Sequence, residues 1–203
     1  MTPNIHFKDR ELVGERVELV KGPLYWLGPN LTLRDCTVII SAARRSLTLM
    51  SGQLINCTIQ AKGELKTLPW APMKLKGCRF IGRFGGNDFG FRENLDERRK
   101  LGGIEDCDFS EALLNGCRFF NCDMSTIRLP RWPCFTIMDP RGHAAELGRS
   151  EWPGQVGILV EGLAKNPEGT VAETWHAPTV AEKMDTTVEE LRAALERAPG
   201  IFM

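Results

Sequence analysis

The chain has 203 residues, 42% of them hydrophobic, and its 26 basic side chains balance its 26 acidic ones. That length holds one sizeable core, or one core with an appendage, and the zero formal charge excludes a global attraction to nucleic acid or to an acidic substrate. No apolar run is long enough for a membrane span, and the opening MTPNIHFKDRELVGER is too charged for a signal peptide, so a cytoplasmic protein with no membrane partner is expected.

In chain order, the first regularity begins at Leu33. Leu33, Leu54, Leu75, Ile104 and Met124 form one series; three residues after each stands Cys36, Cys57, Cys78, Cys107 or Ile127; two further on stands Val38, Ile59, Phe80, Phe109 or Leu129. The first three cysteines are 21 residues apart, and Ile127 follows Cys107 by 20. A helix cannot make this pattern, because its apolar stripe recurs at three and four residues, and a plain strand repeats at two. A chain that bends after each short extended piece can. Each lap then takes about twenty residues and stacks on the last at the strand spacing of about 4.8 Å.

The series reaches back to Leu12 and Val17, but Glu15 stands where the cysteine belongs, which predicts an irregular first coil. All seven cysteines but Cys134 fall at repeated places, and their odd number leaves one unpaired in any bridged scheme; small core fillers in a reducing compartment are the simpler reading. Trp70, within LPWAP, reads as a corner bulge packing on its own coil.

The one break in the spacing is the gap of 29 between Cys78 and Cys107. It predicts a protruding loop over residues 84–101, in the Gly-rich then charged stretch GRFGGNDFGFRENLDERRKL. Beyond it the period shows in full as CDFSE-ALLNG-CRFFN-CDMST-IRLPR, residues 107–131, with a large apolar residue at every third place. These blocks resemble the pentapeptide-repeat family, strongly over 107–131 and partially in CTVII, CTIQA and CRFIG earlier in the chain. The resemblance implies a mainly β fold, a right-handed quadrilateral parallel β-helix, for residues 1–139. Each coil of such a stack touches only its neighbours, so its ends need covers.

Residues 140–203 are expected to be an extension that packs on or caps the solenoid. DTTVEELRAALERAPG predicts a helix over 187–198, with Thr186 and Glu189 at capping-box spacing and Pro199-Gly200 ending it. The apolar GILVEGL, 157–163, is a second candidate for packing on the coils. NPEGTVAETWHAPTV reads as irregular chain anchored by Trp175.

Residues that carry chemistry are sparse. His6, His143 and His176 are far apart, and Cys117 and Cys122, five apart, do not have zinc-ligand spacing. There is no phosphate-binding Gly loop, no GxSxG elbow, and no carboxylate pair facing a groove; Glu105, Asp106 and Asp108 fall at outer or turn positions. No catalysis, cofactor or metal is expected. A protein-binding surface is, since interface centres are rich in aromatic residues and Arg. Phe89, Phe91, Arg92, Arg98, Arg99 and Lys100 in the loop are one candidate, against a competing reading in which the Phe pair folds back on the solenoid. Arg128, Arg131 and Trp132 are another, against a reading in which Trp132 seals the solenoid end.

A site-free solenoid with one loop and a non-repeat tail also resembles, in architecture, the immunity proteins of interbacterial toxin systems, including type VI secretion-like ones. That resemblance implies one cognate partner, a secreted toxin such as a nuclease encoded next to it, neutralised by steric occlusion. The alternatives are a DNA mimic acting on topoisomerase, a general scaffold, or a cryptic enzyme using His143 or His176. Residues 31–138 carry 16 basic and 11 acidic side chains, which disfavours the mimic, and no concentrated basic stripe calls for direct nucleic-acid binding. Open coil ends would allow a homodimer.

Overall fold

The computed structural model describes residues 2–92 and 101–203. The first two thirds of the chain wind into a parallel β-solenoid of about four turns. One wall contains β2 (Arg10–Val13), β5 (Leu31–Arg34), β8 (Gly52–Ile55), β11 (Met73–Lys76) and β14 (Gly103–Glu105), in that order. The next contains β3 (Arg16–Leu19), β6 (Thr37–Ile40), β9 (Thr58–Ala61), β12 (Arg79–Gly85) and β15 (Asp108–Asn115). A third begins with β1 (Asn4–Phe7), β4 (Leu24–Leu27) and β7 (Leu47–Leu49) and resumes in β13 (Asp88–Gly90) and β16 (Cys117–Phe120).

The registers place the sequence columns on top of one another. Leu12, Leu33, Leu54, Leu75 and Ile104 are successive partners, as are Val17, Val38, Ile59 and Phe80. Phe109 continues the second column, its ring stacked 4.4 Å from that of Phe80. All of these but Leu12 are buried, as are Ile127 and Leu129; Met124 is only half-buried, because the last lap turns through a 3-10 helix, Met124–Thr126. Each fully buried Leu, Ile or Phe contributes roughly 1.5–3 kcal/mol relative to exposure.

The cysteine slot has a chemical reason. The thiols of Cys36, Cys57, Cys78 and Cys107 donate to the carbonyls of Leu12, Leu33, Leu54 and Leu75 one lap earlier, at 3.4, 3.3, 3.3 and 3.7 Å. A thiol is small enough for the corner and still satisfies a carbonyl there. All seven cysteines are free thiols. Hydrogen bonding to Cys107 and Cys57, together with burial, raises the pKa of Cys78, and burial pushes Cys117 up to about 12, so both are held as neutral thiols. The residue before this slot makes the turn in each lap: Gly14, ahead of Glu15, and Asp35, Asn56, Gly77 and Asp106, ahead of the cysteines, all have φ between 51 and 66°. Asp, Asn and Gly are the residue types that take this left-handed conformation at least cost.

The first coil is regular, contrary to the sequence expectation: β1, β2 and β3 pair in register with β4, β5 and β6. Its departures are polar residues at inward positions. Arg10 pairs with the buried Leu31 yet lies exposed over the Phe7 ring at 5.7 Å, and Glu15 fills the cysteine slot. Charged residues at such positions of an edge coil oppose the addition of further strands.

The inserted loop is shorter than expected. Residues 84–90 belong to the solenoid, in β12 and β13, and the extra chain begins at Phe91. The solenoid also ends earlier, since β17 (Cys134–Met138) pairs with C-terminal strands rather than with the coils. Thr170–His176, expected to be irregular, is strand β18, antiparallel to β16 on one side and to β17 on the other. It carries the solenoid wall into a cap. Ala172 packs into the solenoid core, while Phe135 and Ile137 of β17 face a second core formed with α1 (Pro140–Leu147), α2 (Val156–Leu163), α3 (Ala177–Lys183) and α4 (Val188–Leu195). β19 (Ile201–Phe202) completes the sheet. The helix expected over 187–198 is α4; its capping box is Thr187 with Glu190, one residue later than the spacing of Thr186 and Glu189 suggested. No helix among the described residues is long and apolar enough to cross a membrane.

Candidate functional site

The expected binding residues divide into three environments. Phe89 is fully buried in β13, 5.0 Å from the Phe109 ring and 5.4 Å from that of Phe119, so it is a core residue and not part of a docking loop. Trp70, expected at a corner, is also interior: its ring stacks on Phe89 at 6.0 Å and its Nε1 donates to Asn87 Oδ1 at 3.1 Å. Phe91 is half-buried, and Arg98, Arg99 and Lys100 lie outside the described residues.

Arg92 joins a seam between solenoid and cap. Asp88 accepts from Arg92 Nη1 at 3.2 Å and from Arg118 Nε at 3.0 Å, and both guanidinium groups lie over the buried Phe120 ring, at 4.8 and 5.6 Å. Arg118 is the cross-strand partner of Glu173, which is 7% exposed and accepts from Asn166 Nδ2 at 2.8 Å. Burial raises the Glu173 pKa against the opposing pull of Asn166 and Arg118. A carboxyl whose folded pKa is raised contributes stability below its unfolded pKa and loses it as pH rises through the folded value. Glu173→Gln is therefore expected to melt higher than the parent at neutral pH, with the difference closing below the ordinary Glu range; a Tm series against pH reads this directly.

Arg131 and Trp132 serve the cap too. Arg131 lies 5.3 Å from the Phe202 ring, and Trp132 is half-buried in the second core with the Arg192 guanidinium 5.0 Å from its ring. Arg128 is exposed on the β15 wall, 3.5 Å from Asp108. Among the described residues the histidines do not meet a carboxylate: His143 Nδ1 bonds the Met138 carbonyl at 2.9 Å, His176 Nδ1 bonds the Thr179 hydroxyl at 2.8 Å, and His6 stacks on Trp26. Among the described residues no group of three His, Cys, Asp or Glu could hold a metal.

What the sequence reading passed over is the pair of outer walls. On the β3–β15 wall, Thr37 stacks on Thr58, Ile39 on Gln60 and Gln60 on Ile81. On the adjoining wall Gln53 Nε2 donates to Thr32 Oγ1 at 3.1 Å, with Ile55 beside them. This patch of uncharged residues turns the corner between the two walls and is interrupted in its earlier lap by Arg34 and Asp35. Ion pairs lie to either side of it: Arg16–Glu18 and Arg34–Glu11 towards the first coil, and Lys76–Glu105, Arg79–Glu111 and Arg128–Asp108 towards the last. Exposed pairs of this kind add little stability. The signal was present in the sequence as the residues between the core columns.

The fourth wall is incomplete. β12 and β15 run round a corner into it and β10 (Leu65–Lys66) joins below, but one lap earlier the chain takes a 3-10 turn, Arg44–Ser46, in place of a strand. The gap is a cleft of about 600 Å³. No protein-family model matches the chain, and no curated protein or solved structure matches it.

Proposed function

We propose that the protein is a non-catalytic binding protein that neutralises one partner by covering it. The reading rests on the uncharged strip of Thr32, Thr37, Gln53, Ile55, Thr58 and Gln60, rigid because every strand beneath it is paired on both sides. A depleted-charge centre inside a charged rim is the usual anatomy of a protein–protein interface, and a wall already ordered by its coils loses little entropy on docking. The core under it is filled: the residual void between Leu33, Val38, Leu54, Ile59 and their neighbours is about 20 Å³, too little for a substrate.

The five-residue blocks of 107–131 support assignment to the pentapeptide-repeat proteins, and the lone solenoid with its dedicated cap fits an immunity protein against a bacterial effector such as a nuclease, acting in the cytoplasm. DNA mimicry would need an acidic wall; Arg16, Arg34, Lys74, Lys76, Arg79 and Arg128 stand on these walls among comparable numbers of acids.

Thr58→Arg tests the strip. It puts a long cation at the centre of the patch without touching the core, so the variant should melt within a few degrees of the parent and bind its partner at least tenfold more weakly. The partner is found by co-purification from the native host. Unchanged binding by Thr58→Arg would move the interface elsewhere; recovery of no specific protein would count against the function.

A further inference from the structure

We infer that the gap in the fourth wall is a second docking site, one that takes an extended acidic peptide segment by adding it as a strand; this rests on the binding-protein reading and locates a contact apart from the uncharged patch. Three observations converge on it. The first is an open strand edge. β10 pairs with β12 on one side only, and it is the last strand of its sheet path. Residues Gly63 to Leu65, at that edge, line the cleft. An exposed edge is a template for a further strand, and peptide recognition by strand addition uses such edges.

The second is shape. Leu65, Phe84 and Leu114 are buried along the fourth wall, with Leu65 and Phe84 direct partners. One lap below, the cleft is lined by the small Ser41, Ala42 and Ala43, with the exposed Leu24 beside them. That leaves room for an apolar side chain from an incoming strand. At about 3.3 Å per residue, a segment of four or five residues spans one such side.

The third is charge. Lys21 and Arg45 line the cleft, both exposed, and neither has a salt bridge among the described residues. The acid in the lining, Glu64, is neutralised by Lys66 at 3.1 Å. The opening therefore carries two free cations, and a strand that alternates acidic and apolar residues matches both its rim and its floor.

The probe is a fluorescein-labelled eight-residue peptide of alternating Glu and Val, titrated into the full chain by fluorescence anisotropy, with alternating Lys and Val as the counter-probe. The Glu–Val peptide should bind with micromolar affinity and slow hydrogen exchange at the amides of residues 63–66. The double variant Lys21→Glu, Arg45→Glu, which touches no core residue, should weaken it at least tenfold and favour the Lys–Val peptide instead. Absence of binding at millimolar peptide, equal binding of both peptides, indifference to the charge reversal, or protection at some other edge would each overturn the proposal. So would a second copy of the chain occupying the cleft, seen as a dimer in sedimentation that the double variant dissolves. The two readings fail separately, since the peptide assay needs no natural partner and the Thr58→Arg assay does not depend on the cleft.

Discussion

Phe89→Asp is expected to unfold the protein. The ring is fully buried, in contact with four other aromatic rings, Trp70, Phe80, Phe109 and Phe119, at centroid distances of 6.0, 5.4, 5.0 and 5.4 Å. Truncating such a residue to Ala costs about 3–5 kcal/mol, and leaving an unpaired carboxylate in its place costs several more. A domain with about 5–15 kcal/mol of total stability does not absorb that. The variant should be insoluble or lack the far-ultraviolet β signal of the parent. Phe91→Asp, two residues on and half-buried where the insertion begins, should remain folded. A Phe89→Asp protein that melted with the parent would mean that β13 is not part of the coil. The sequence left two readings open, a loop residue whose loss would affect only binding and a ring folded back on the solenoid, and the structure gives the second for Phe89.

The second large effect is expected at Asn87. It is fully buried and occupies the place one lap before Cys117, but with an amide instead of a thiol. Its Nδ2 donates to the carbonyls of Leu65 at 2.7 Å and Gly85 at 3.1 Å, and its Oδ1 accepts from Trp70 Nε1. Cys117 makes the simpler version of this contact, donating to the Phe84 carbonyl at 3.2 Å. Asn87→Ala strips a hydrogen bond from the Trp70 indole and from the Leu65 carbonyl in a dry interior, while the Gly85 carbonyl keeps the Thr67 N–H at 2.7 Å; at about 1–3 kcal/mol for each of the two groups the cost should be roughly 2–6 kcal/mol. At about 2–4 °C per kcal/mol for a chain of this size, the melting temperature should fall by about 5–20 °C. Asn87→Cys restores one donor in the geometry used by the other cysteine slots and should recover part of the loss. A melting curve for Asn87→Ala within about 3 °C of the parent would show that the Trp70 indole finds another acceptor.

Both effects arise from the tightest part of the core, where the wall changes from aliphatic to aromatic. The first laps stack Leu, Val and Ile; from Phe80 onward Phe80 lies on Phe109 and Phe89 on Phe119, and the rings meet in stacked and edge-on pairs between 4.4 and 5.7 Å. Such pairs add about 0.5–1.5 kcal/mol each beyond the area they bury. The capped end is thus the aromatic one, and it is the end where the seam of Asp88, Arg92 and Arg118 fastens solenoid to cap.

The amino-acid sequence by itself determined the coil. A period near 21 with apolar residues at fixed offsets has few backbone solutions, because each inward side chain must meet its counterpart one lap away, and Leu33, Cys36 and Val38 keep those offsets through Leu54, Cys57, Ile59 and Leu75, Cys78, Phe80. It determined α4 as well, since a helix of eight residues with a capping box is a local object. The corner residues Gly14, Asp35, Asn56, Gly77 and Asp106 were not read from the sequence as turns, although their types suit the left-handed conformation they take at one point in each lap. Tertiary structure alone decided the rest. β18 could not be read as a strand because burial on both faces, against the solenoid core and against the helices, erases the alternation that marks a strand with one wet face. Phe89 could not be separated from the insertion that follows it, because the glycines around it suit a bend in the coil as well as a loop. The incomplete fourth wall and the uncharged strip depend on which strands become neighbours, and adjacency across laps is settled only when the whole chain has wound.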